Sequence, residues 1–199
     1  MPYGGNDWLA LTQESTLEPE IAICDPHHHF WDLRSARIPY QRYLLHELIA
    51  DFDCGHNVRL TVFIEARAMY RPGGPVELRP VGEIEFVQGL AAASASGLYG
   101  PCRAAAAIVG HADLKLADRV EPVLEALQAA SPNRFRGIRH TVTWDPHPEV
   151  ENREREECWP PPNTAPGPEC WRGWGCPSIP AYAFRSCPNW LNLPRRYPI

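Results

Sequence analysis

The strongest constraint on the fold of this 199-residue chain is the order of its apolar segments. Short β-branched runs alternate with helical ones. Residues 21–26 open with I-A-I, and residues 58–66 read V-R-L-T-V-F-I-E-A, a near-continuous apolar run that suits a strand buried on both faces. Residues 103–110 (R-A-A-A-A-I-V-G) and 135–140 (F-R-G-I-R-H) are the third and fourth strand candidates, although the alanines of the third would also suit a helix. Between them lie expected helices over 43–52, 83–96 and 116–130. In the second of these Ile84, Val87, Leu90 and Ala91 share one face and Gly97 supplies a stop. In the third, Val120, Val123, Leu124 and Leu127 point inward, and Pro122 is tolerable only near a first turn. Four β-then-α units in succession imply parallel strands with right-handed crossovers, as an open sheet or as part of a (β/α)8 barrel. A glycine-rich dinucleotide turn is absent after the first strand.

Charge narrows the partners. A formal charge of −5 and a pI near 5.9 provide no basic footprint for nucleic acid or an anionic membrane. No apolar run approaches the roughly 18 residues of a membrane span. The start, M-P-Y-G-G-N-D-W, lacks the basic-then-apolar pattern of a signal peptide, so a cytoplasmic protein acting on a small molecule is expected. The seven cysteines are odd in number, and those at 158, 170, 176 and 187 lack C-x2-C pairs, so free thiols are expected.

The chemistry-bearing residues collect at strand ends. The first strand runs into D-P-H-H-H-F-W-D, residues 25–32. Side chains of an extended segment alternate faces, which puts Asp25, His27 and His29 on one side and His28 on the other. Two imidazoles two residues apart can grip one divalent ion, zinc or similar, with Asp25 as an outer support. Glu65 ends the second strand, either orienting a ligand or neutralising nearby Arg67 and Arg71. His111 follows the third, as a site residue or a loop residue. Arg139 and His140 end the fourth: Arg139 suits a substrate carboxylate or a structural one, and His140 suits substrate or a strand cap. The carboxyl ends of strands are where barrel enzymes keep their sites, yet a barrel needs eight strands and roughly 250 residues.

These motifs, D-P-H-H-H-F-W-D, T-V-F-I-E-A-R-A-M-Y-R, R-P-V-G-E-I-E-F-V-Q-G-L-A-A, S-G-L-Y-G and R-F-R-G-I-R-H, resemble the amidohydrolase-related (amidohydrolase 2) family. The branch they resemble holds the sugar lactonases and pyrone-dicarboxylate lactonase, and the likeness runs from about residue 21 to about 150. It implies a metal-capable TIM barrel that hydrolyses lactones or related carbonyl compounds. His27 and His29 match the family's first-strand pair, and Arg136 and Arg139 match a region that approaches anionic substrate groups, with Arg139 nearer the strand end. The histidine and proton-handling aspartate of the family's sixth and eighth strands have no counterpart here. A metal-dependent decarboxylase of the same superfamily would use the same histidine pair.

From about residue 152 the composition changes, and the segment to Ile199 holds ten prolines, four cysteines and four tryptophans. Prolines this dense suit neither helix nor sheet. The genetic code permits a frameshift reading. With codons beginning on the third base of those shown, residues 170–179 allow L-A-R-L-G-L-S-F-D and residues 184–194 allow P-Q-L-P-E-L-A-E-L-A, a strand and then a helix. The expected organisation is a polar extension over 1–20, a partial barrel over 21–151 and an irregular tail over 152–199. Such a half barrel is expected to be inactive in this form. The rival is a natural tail that docks a partner.

Overall fold

The computed structural model describes residues 11, 14–33 and 40–141. Most of the expected extension and all of the expected tail lie outside them. Seven main elements follow in strict alternation: β1 (Ala22–His28), α1 (Leu45–Phe52), β2 (Asn57–Ile64), α2 (Val81–Ala95), β3 (Arg103–Gly110), α3 (Glu121–Ala130) and β4 (Phe135–Ile138). The strands form one parallel sheet in the order β1-β2-β3-β4. Each strand therefore pairs with its neighbour in sequence, with no reversal of order. Right-handed crossovers between such strands all fall on the same side of the sheet.

The core lies on that side. Phe63, Ile108 and Phe135 occupy matched positions on β2, β3 and β4. They pack in one cluster with Ile84, Val87 and Ala91 of α2, Val123 and Leu127 of α3, and Leu45 and Leu48 of α1. The opposite face is graded: Leu60 is 43 % exposed and Val62 and Ala107 are half-buried, whereas Ile64 and Val109 near the strand ends are buried.

Element boundaries moved where local chemistry intervened. Tyr43 belongs to a two-residue antiparallel bridge with Trp31, so α1 starts at Leu45, where the Glu47 carboxylate accepts the Leu44 N–H at 2.8 Å. Pro122 divides the expected third helix into a 3-10 segment (Leu114–Val120) and α3, and sits in the first turn of the latter, where its missing N–H costs nothing. Gly97, at φ +82°, follows α2 as expected. The alanine run of β3 is a strand, but an irregular one. Leu60 pairs with Arg103 and Val62 with Ala107, so β3 uses two more residues than β2 over this stretch. Ala105 there has φ +49°. The freed donors are satisfied by hydroxyls: Ala104 N–H donates to Ser94 Oγ at 2.9 Å and Ala105 N–H to Thr61 Oγ1 at 2.8 Å. Ser94 Oγ in turn donates to the Cys102 carbonyl. Buried backbone donors need such partners, and both hydroxyls are buried.

Candidate active site

The carboxyl ends of the four strands carry His27, His28 and His29, then Glu65, then His111, then Arg139 and His140. A register slip shapes the first group. Asp25 pairs with Thr61 and His28 with Phe63, so three residues of β1 span two of β2. His27 and His29 nonetheless converge, with their Nε2 atoms 3.2 Å apart and their rings nearly perpendicular at 82°. His29 Nδ1 lies 2.7 Å from the Ile64 carbonyl. A carbonyl only accepts, so Nδ1 carries the proton and Nε2 presents its lone pair. In the metal-free protein His27 Nε2–H then donates to His29 Nε2. The slip breaks the simple alternation expected of Asp25: its carboxylate accepts the His27 backbone N–H at 3.0 Å rather than supporting a ring.

His28 is on the other side, as expected. It is 6 % exposed, edge-on to Phe30 and Phe63, and neither ring nitrogen has a hydrogen-bond partner. Burial, opposed by the Asp25 charge, holds its pKa down at about 4.

Two imidazole nitrogens about 2.05 Å from a tetrahedral zinc would be about 3.3 Å apart, a spacing that the observed hydrogen-bonded separation matches. The carbonyl bond to His29 Nδ1 is the outer support that metal-bound histidines use. His27 and His29 therefore fit as two ligands. Among the described residues no cluster of three or more His, Cys, Asp or Glu is arranged to hold an ion, so this pair does not form a complete cage by itself.

Glu65 and Arg139 are joined. Arg139 Nε donates to Glu65 Oε1 at 2.8 Å and Nη2 to the Glu65 carbonyl at 2.7 Å. Glu65 is 2 % exposed and its Oε2 has no partner. The expected neutralisation of Arg67 and Arg71 is not what forms, since Arg71 pairs with Glu85 on α2. Arg136, the other arginine of the motif, turns back to the Phe135 and Asn133 carbonyls. His140 stacks on His111 with centroids 5.7 Å apart, and its Nδ1 lies 3.3 Å from the Ala112 carbonyl and 3.4 Å from Leu114 N. It braces the segment after β3. His111 Nδ1 is 3.0 Å from the Arg139 carbonyl. Burial, countered by that bond and by Glu65, lowers the His111 pKa, with the charges of His140 and Arg67 lowering it further.

Sequence reasoning passed over Glu83. It is fully buried at the start of α2, and Oε1 accepts the N–H groups of both Ala66 and Ala68, at 2.9 and 2.8 Å. Burial raises its pKa to about 7 against the opposing pull of those two bonds. A side chain at Gly82 would meet the Met69 carbonyl at 2.5 Å, so α2 presses directly on the loop that follows β2. In that loop Arg67 and Met69 have φ of +57° and +53°. The signal available was a glutamate in a first helical turn, which ordinarily reads as a solvent-exposed partner for the helix dipole.

Cys24, Cys54 and Cys102 are free thiols, and among the described residues no helix is long and apolar enough to cross a membrane. Comparison with protein-family models, with curated proteins and with solved structures found no match to this chain.

Proposed function

We propose that the sheet is the amino-terminal half of an amidohydrolase-type (β/α)8 barrel whose rim hydrolyses a lactone or related carbonyl ester. The observation that carries this reading is the convergence of His27 and His29 Nε2 at 3.2 Å at a strand end, with His29 locked in the ligating tautomer by the Ile64 carbonyl. The unreversed strand order and the partly exposed face of Leu60, Val62 and Ala107 support a barrel segment, because a closed barrel would cover that face with further strands. A divalent ion held by the pair would supply Lewis-acid polarisation of a carbonyl. The Glu65–Arg139 pair sets the shape and charge of the rim beside it. One oxygen of Glu65 is held by Arg139 and one of Glu83 by two backbone N–H groups, while the second oxygen of each is buried without a partner.

The test compares this chain with a version in which the reading frame is restored after about residue 152. Hydrolysis of sugar lactones or dicarboxylate lactones by the restored protein, lost on His29→Ala, is the expected result. No hydrolysis of any such lactone by the restored protein would rule out the substrate class.

A further inference from the structure

The end of the sheet away from the histidines has a cleft of its own. It lies where β3 and β4 begin, beneath the second half of α2, and has a volume of about 310 Å³. One wall is apolar, made by Ala91 and Ala95 of α2 with Ala104 and Ala106 of β3. The other is Arg103, Arg134 and Asn133, and no acidic side chain lines the cleft although the chain as a whole has a formal charge of −5. Among the described residues neither guanidinium makes a side-chain hydrogen bond or ion pair. Two unpaired cations on one cleft repel each other, and a bound anion relieves that repulsion. The turn that carries Asn133 and Arg134 is braced from several directions. Gln128 Nε2 donates to the Pro132 carbonyl at 2.9 Å, Arg136 Nη2 to the Asn133 carbonyl at 2.8 Å, and Ser131 Oγ to Gln88 Oε1 on α2 at 2.7 Å. The backbone of Arg134 is fixed on both sides, its N–H by the Ser131 carbonyl and its carbonyl by the Ile108 N–H. Carbonyls at the end of α2 would oppose an anion, but those of Ala93 and Ser94 already accept the N–H groups of Ser96 and Gly97.

We propose that this cleft binds a small phosphate monoester, Arg103, Arg134 and the Asn133 amide taking the phosphate and the alanine wall taking a short carbon body. A phosphate monoester carries a charge of about −1.5 to −2 near neutral pH, which two guanidiniums match and one carboxylate does not. The volume is at the low end of the roughly 300–1,000 Å³ of small-molecule sites, so a body of a few carbons suits it. Every residue involved belongs to α2, β3 or the turn before β4. The site therefore needs neither the histidine pair nor any lactone chemistry, and it stands apart from the hydrolase reading.

The test uses the full chain with propyl phosphate as probe, inorganic phosphate and butyrate as comparisons, and calorimetry together with the backbone amide resonances of Asn133 and Arg134 as readouts. Propyl phosphate is expected to saturate, to shift both amides, and to bind more tightly than either comparison. Arg134→Gln should weaken it by about tenfold, the loss expected of one charge-assisted contact. The side chain of Arg134 holds no other group, so the fold should persist. Arg119→Gln removes the same charge from the 3-10 segment that follows the far end of β3, and should change the affinity by less than about twofold at physiological ionic strength. Ala95→Leu keeps every charge and fills the apolar wall, so it should weaken propyl phosphate more than inorganic phosphate. Equal losses from Arg134→Gln and Arg119→Gln, butyrate binding as tightly as propyl phosphate, or no saturable binding to the unaltered chain overturns the site.

Discussion

Replacing His28 with phenylalanine should stabilise the protein, and by an amount that grows as the pH falls. The imidazole is 6 % exposed and leaves one donor and one acceptor without partners. An unsatisfied buried polar atom costs about 1–3 kcal/mol, and an added ring atom in a packed core returns about 1–3 kcal/mol of that as strain. The expected net gain at about pH 7.5 is about 1–2 kcal/mol. The pH dependence follows from a folded pKa of about 4 against an unfolded 6.5. A histidine whose folded pKa is depressed contributes fully above the unfolded value and loses that contribution as pH falls through the folded one. At about pH 5 the unfolded chain is mostly protonated there and the folded protein is not, which costs the parent protein about 2 kcal/mol that the variant does not lose. Urea unfolding followed by circular dichroism at the two pH values measures both terms. Other titrations are common to parent and variant and cancel in the difference. His28→Leu, which adds no ring atom, should show the same widening. A stability gap that stays constant between the two pH values, or that narrows in acid for both variants, would refute the assignment of His28 as a buried neutral ring.

Glu83→Gln should flatten the pH profile on the other side. A folded pKa raised from 4.5 to about 7 means stability is fully present below 4.5 and is lost as pH rises toward 7, about 3 kcal/mol in all, so the glutamine variant gains relative to the parent above neutrality by denaturant titration. Arg139→Ala should cost about 2–3 kcal/mol by the same assay, since it strands the buried Glu65 carboxylate, with the half-buried arginine placing the loss below that of a fully buried pair. Zinc should raise the thermal midpoint of the parent chain by mass action, and this shift should vanish in His27→Ala and in His29→Ala.

The histidine pair was legible because its geometry is local. Spacing of two along an extended segment puts His27 and His29 on one side whatever the rest of the chain does, and even a register slip did not separate them. The four strands and the intervening helices were legible from apolar period for the same reason. The partners of the strand-end residues were not. Glu65 and Arg139 are 74 residues apart, and nothing at either position says that they meet. The burial of Glu83 depends on where the loop after β2 folds back, so a glutamate that looks like a surface helix start is in fact the anchor of that loop. The alanines of β3 gave an ambiguous pattern because their backbone is irregular, and small side chains are what a crowded, positive-φ position allows.

That irregularity has a bearing on the rim. Past it, Val109 lies level with Ile64; in an uninterrupted ladder Ala107 would hold that height, and the loop would begin two positions sooner. Because the surplus is an even number, inward and outward sides are preserved while the whole downstream segment is drawn back toward the sheet. His111 consequently reaches the level of Ala66 instead of projecting two positions beyond it. Thr61 and Ser94, far from any chemistry, thus act as spacers that meter how far a distant imidazole extends, and straightening this kink with every residue kept would lengthen its reach by about 7 Å.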